Sequence, residues 1–247
     1  MTMSMTQLER ALRGLRLSGM TATLEVRALQ VAHHELNFYE AFVQLVQDEL
    51  DRRFALSGLT ERKDLKDFDW SYNTRLPRRE VLDLATLKFV AAKQDALLIG
   101  PPGVGKSHIA KALAQLAVQH GYKVFYREAH RLIEDINEAR ELAEIRQYRV
   151  QLKAADLLII DDLFLRRLPA NAGEELADVL MSRYEKLSTL ITSNRPFEDW
   201  GKLLGDAVIV APLLDRLLHH GHLLKFDGKS WRLKEAAARV AKQRTNA

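Results

Sequence analysis

The chain has 247 residues, 47% apolar and 28% charged, enough apolar material for one large core or two smaller ones. It contains no cysteine, which excludes a disulfide framework and thiolate metal sites. The net charge of +4 points only weakly to an anionic partner, and no apolar run is long enough to cross a bilayer or act as a signal peptide, so a cytoplasmic protein is expected.

Residues 7–58 lack proline and read as helices. Leu8, Leu12 and Leu15 form one apolar stripe; Phe38, Phe42, Leu45, Val46 and Leu50 form another, expected to be core. Arg10, Arg13 and Arg16 recur every three residues and share a helix side. Residues 62–77 are polar, aromatic and aperiodic, which suits a linker, and Pro77 can begin a helix. Val81, Leu84, Leu87 and Val90 resume helical spacing. Past residue 95, the short apolar runs ALLIG, KVFYR, LLIID, TLITS and LLKF alternate with helical stretches. Five buried strands separated by helices predict a three-layer α/β domain with a mostly parallel sheet. The expected boundary lies near residue 76, with a helical domain at 1–76 and the α/β domain at 77–247. From Lys225 onward, seven Lys or Arg face two acidic residues, a basic tail.

The stretch LLIGPPGVGKSH carries the chemistry. Gly100, Gly105, Lys106 and Ser107 satisfy the pattern G-x-x-x-x-G-K-[ST]. Glycines let the backbone curl so that successive N–H groups face phosphate oxygens, and a helix beginning near Lys106 adds its positive end. The cradle spans Gly100, Pro101, Pro102, Gly103, Val104, Gly105, Lys106, Ser107 and His108. Lys106 would reach the β- and γ-phosphates of ATP, and the Ser107 hydroxyl would ligate Mg²⁺. The helix should stop at Gly121. A dinucleotide fingerprint beginning at Gly103 fails, because His108 stands at its sixth position.

Three later segments refine this reading. LLIIDDLF places Asp161 and Asp162 at a strand end, one suited to hold the Mg²⁺ shell and the other to activate water. TLITSNRP places Ser193 and Asn194 at another strand end, where the Asn194 amide can hold the attacking water. PLLDRLLHHGHLLKF places Arg216 on a helix before the last strand, where it can serve a neighbouring subunit as an arginine finger.

In order and spacing these segments resemble the Walker A, Walker B, sensor 1 and box VII elements of AAA+ ATPases. RLSGMTATLE, LKDFDW, IIDDLFLRRLP, RYEKLSTLITSNRPFEDWGKLLGD and LLDRLLHHGHLLKFDGKSWRLKE together look like the IstB family of bacterial insertion-sequence helper ATPases, kin to DnaC-type helicase loaders. The resemblance spans nearly the whole chain. It implies an AAA+ core with strand order 5-1-4-3-2 behind a small helical domain. It also implies a bacterial protein that uses ATP to form homo-oligomers on duplex DNA and stimulates a transposase. Asp162 stands where many AAA+ proteins have Glu, so slow hydrolysis is expected. The chain ends about 20 residues after the last strand, too few for a helical lid. Arg232 is a candidate substitute for the arginine such a lid carries.

Candidate DNA contacts are Arg10, Arg13 and Arg16; Arg75, Arg78 and Arg79; and Arg140, Arg146 and Arg149. They would meet phosphates without reading sequence. Arg166 and Arg167 would face DNA or a neighbouring subunit. His219, His220 and His222 lack the further ligands that a tetrahedral metal site needs. A helicase loader, and a DNA adaptor that uses ATP only structurally, remain alternatives.

Overall fold

The computed structural model describes residues 3–165, 170–200 and 207–245. Arg166 and Arg167 lie outside the described residues. The chain forms two compact units that divide between Thr60 and Glu61, ahead of the boundary expected near residue 76. The aromatic stretch read as a linker therefore belongs to the second unit.

The first unit holds three helices, α1 (Met5–Gly14), α2 (Ser18–Ala32) and α3 (Phe38–Leu56). Capping boxes start two of them: Ser4 with Gln7 before α1, and Asn37 with Glu40 before α3. The α2–α3 contact closes around Gly19, whose N–H donates to the buried Glu49 carboxylate. A Cβ on residue 19 would stand 2.7 Å from Glu49 Cα, so the close approach requires glycine. Arg52 and Arg53 also hold Glu49; burial pushes its carboxyl up, but these donors prevail and keep it below the ordinary range. Phe38 and Phe42, expected as core, are instead 79% and 53% exposed and stack on each other. Helical spacing aligns side chains on one face but does not say what covers that face.

The second unit contains the sheet. After α4 (Arg78–Leu84) and α5 (Lys88–Ala91) come β1 (Ala96–Ile99) and α6 (Lys106–Gln119). Next are β2 (Val124–Glu128), α7 (Ala129–Glu141), α8 (Ile145–Ala154), β3 (Leu157–Leu163), α9 (Ala170–Arg183) and β4 (Ser188–Ser193). Then follow α10 (Ala207–His219), β5 (His222–Lys225) and α11 (Trp231–Thr245). The strand order is β2-β3-β4-β1-β5 with every pairing parallel, which is the expected order read from the other edge. β1, β3 and β4 are buried on both faces, as helices on two sides require. Leu97, Leu158, Ile160 and Ile191 from the strands pack with Leu132, Ile136, Leu152 and Leu213 from the helices. Trp200, fully buried against Phe164 and Phe197, anchors the segment after β4. A buried Arg183 ties strand starts to helix ends, donating to the carbonyls of Leu152, Ala155 and Ser188. Gly121, with φ 86°, ends α6 as expected.

Candidate nucleotide site

Parallel strands place all their carboxyl ends on one side of the sheet, and there β1, β3 and β4 deliver the predicted side chains together. The loop from Gly100 joins β1 to α6. Gly105 caps α6 at φ 107°, a left-handed conformation that admits glycine at little cost. A Cβ there would stand 2.5 Å from the Phe68 ring, so the same residue also admits an aromatic wall.

Lys106 is 4% exposed. Its Nζ donates to Gly100 O (2.7 Å), Pro101 O (2.7 Å) and Asn194 Oδ1 (2.6 Å). Burial draws its ammonium down to about 8, with the charges of Asp162 and Asp161 resisting. Asn194 Nδ2 donates in turn to Asp162 Oδ1 at 3.4 Å, so one amide links the loop lysine to the second acid. Burial, and then the neighbouring Asp161 charge, push the Asp162 carboxyl up. Asp161 lies deeper, 1% exposed, and its Oδ2 accepts from the Tyr126 hydroxyl at 2.6 Å.

A cavity of about 330 Å³ opens over this cluster. Gly103, Lys106, Ser107, Asp162 and Asn194 line one part, and Phe68, Tyr72 and Trp231 supply aromatic surface. Pro102, Val104 and His108 of the cradle also line it, as does Arg232. Such a chamber can take a polyphosphate against backbone N–H groups and a planar base against rings. His108 braces the aromatic segment: its Nε2 faces the Asp64 carbonyl at 3.1 Å and its ring meets Phe68 edge-on. The far wall is stitched by Asn73, which exchanges hydrogen bonds with the Lys229 backbone, and by Trp231 N–H to Gly103 O. Phe68, Tyr72, Asn73 and Trp231 escaped the sequence reading; the cluster of rings in an aperiodic stretch was the available signal.

Arg216 does not line this cavity. It is exposed on α10, with its guanidinium over the Tyr184 ring and against Met181 Sδ. Among the predicted DNA contacts, Arg10, Arg13, Arg16, Arg75, Arg78, Arg79 and Arg146 are exposed. Arg140 and Arg149 are committed elsewhere: from α7 and α8 both grip Glu175 of α9, a side chain 7% exposed. The histidine cluster divides. His222 turns to Gln94, while His219 and His220 converge with Glu185 at the surface, one donor atom each within 4.8 Å.

The family model described as IstB-like ATP binding protein matches residues 10–238. A Pseudomonas aeruginosa protein named for ATP binding in insertion sequence IS21 is 36% identical over 241 residues, covering 94% of this chain and 90% of its own. Among solved structures, AMPPCP-bound DnaA from Aquifex aeolicus superposes with a TM-score of 0.59 at 22% identity, over 75% of this chain and 56% of that one. The DnaC helicase loader gives 0.52 at 20% identity, over 71% and 99%. These two likenesses concern the fold. No described helix is long and apolar enough to cross a membrane.

Proposed function

We propose, from the premise that the chain belongs to the IstB-like ATP-binding protein family, that it is a slow ATPase acting as a nucleotide-controlled helper of a transposase on duplex DNA. The observation that carries this is the meeting of Lys106, Asn194 and Asp162 in one cavity at the mouth of the glycine loop. Lys106 would exchange its loop carbonyls for the β- and γ-phosphates. Asn194 would orient a water toward the γ-phosphorus, and Asp162 would accept its proton as the bond to ADP breaks. The raised Asp162 carboxyl suits that acceptance, because a stronger base takes a proton more readily. The short Asp side chain limits reach, which fits slow turnover.

Ser107, Asp161 and Asp162 offer oxygen donors at the phosphate end, and these suit Mg²⁺. Ser107 on the cavity wall would hold it directly. Asp161, behind the wall with both oxygens accepting hydroxyl hydrogens, would hold it through water. Bound there, the ion would neutralise phosphate charge. Phe68 and Tyr72 would take the base.

Arg216, exposed and outside its own cavity, would complete the site of a neighbouring copy, so that ATP favours a homo-oligomer and hydrolysis loosens it. Arg10, Arg13, Arg16, Arg75, Arg78, Arg79 and Arg146, all exposed, would meet DNA phosphates. Insertion-sequence relatives support a transposase as the partner. The test is phosphate release and sedimentation, each with and without duplex DNA, for the parent and for Arg216→Ala. Both readouts should fall together in the variant; if turnover and DNA-stimulated assembly both survive, the trans arginine is wrong.

A further inference from the structure

The two acids of β3 do not follow regular pairing with β4, although Asp161 stays in register with Glu128 of β2. Ile160 faces Ile191 and Leu163 faces Ser193, so Asp161 and Asp162 together oppose the single residue Thr192. That is a β-bulge, a device that re-aims side chains beside functional sites. Asp162 takes φ 54°, a left-handed conformation rare for a residue with a side chain. Something must hold it there, and the contacts name Thr192.

Thr192 has no solvent exposure. Its Oγ1 accepts the Asp162 backbone N–H at 2.8 Å and donates its own hydrogen to Asp161 Oδ1. One hydroxyl thus fixes the backbone of the second acid and the carboxylate of the first. The Tyr126 hydroxyl secures the other oxygen of Asp161. Both carboxylate oxygens of Asp161 are thereby tied to hydroxyls. Asp162 is left pointing at Asn194 rather than along the strand.

We propose that Thr192 is a positioning residue for both acids, setting the Mg²⁺ shell through Asp161 and the water-activating carboxylate through Asp162. This rests on the ATPase reading above. Valine has the shape of threonine without the hydroxyl, whereas serine keeps the hydroxyl. Losing a partner that orients a metal-holding group typically costs 10–100-fold in affinity or activity. Thr192→Val should therefore lower turnover about 10–100-fold, and Thr192→Ser should recover most of it.

A second readout separates positioning from folding. Binding of a fluorescent ATP analogue is measured with Mg²⁺ and with EDTA, well below the melting temperature of each variant. Thr192→Val should keep the metal-free affinity, which the glycine loop and Lys106 provide, and lose most of the increment that Mg²⁺ adds. Equal turnover and equal Mg²⁺ increments in Thr192→Val and the parent overturn the proposal. So does a Thr192→Ser variant as impaired as Thr192→Val. If Thr192→Val does not fold, Thr192→Ala takes its place; failure of both to fold also overturns it, since the hydroxyl then serves the core. A parent protein that shows no Mg²⁺-dependent binding or turnover points instead to failure of the ATPase reading.

Discussion

Arg149→Ala distinguishes a structural cation from a DNA contact. Arg149 donates Nε to Glu175 Oε2 at 2.8 Å and a second hydrogen to Oε1, while Arg140 shares Oε1 from another helix. The acid is 7% exposed and Arg149 is 40% exposed. A charged hydrogen-bond set is worth roughly 1.5–3 kcal/mol, and screening at an exposed guanidinium trims this to about 1–2 kcal/mol. In a chain of this size that lowers the melting temperature by about 2–8 °C. Removing Arg140 as well strands a buried carboxylate and costs about 3–5 kcal/mol, part of which Glu175→Gln should restore. Burial raises the Glu175 carboxyl, but the two guanidiniums prevail and hold it below its ordinary value. A lowered folded value gives stability that is present at neutral pH and lost as pH falls through it, so the difference between variants should shrink in acid. The assay pairs calorimetric melting with duplex-DNA affinity across a salt series. Structural use predicts an unchanged salt slope. A variant that melts within about 1 °C of the parent yet loses about 0.9 of salt slope would refute the reasoning.

Three further outcomes are expected. Because the Lys106 ammonium sits near 8, ATP affinity should decline above that pH, toward tenfold per pH unit, with proton uptake on binding; calorimetry in two buffers checks it, and a flat profile from neutral to strongly alkaline pH rejects it. Phe68→Ala should weaken ATP binding about 5–150-fold, the worth of one stacked base, while leaving inorganic tripolyphosphate unaffected. Gly19→Ala should force α2 from α3, costing about 1–3 kcal/mol, read as loss of helical circular dichroism at lower urea; an unchanged midpoint would show that the contact yields easily.

The phosphate loop and its acids were legible because each is local. Gly100 to Ser107 is one continuous stretch from β1 into α6, and Asp161 and Asp162 are adjacent near the end of β3, so spacing alone placed them. The sheet order followed from the resemblance rather than from periodicity. What stayed hidden depends on neighbours distant in sequence. Phe68 and Tyr72 sit in an aperiodic stretch whose role appears only when Ser230 and Trp231 arrive beside it. Arg140 and Arg149 read as exposed cations until Glu175, on a third helix, claims them. Thr192 is one more β-branched residue in an apolar strand until the bulge opposite brings two acids to it.

β1 emerges first of the five strands, yet it lies between β4 and β5, the last two. During synthesis the glycine loop must therefore wait about ninety residues for Asn194 to meet Lys106, and longer still for Trp231 to close against Gly103. A truncated or half-finished chain has a loop without a chamber. A chain that reaches Trp231 has every wall of the chamber, so nucleotide bound there would stabilise it more than a chain that stops short.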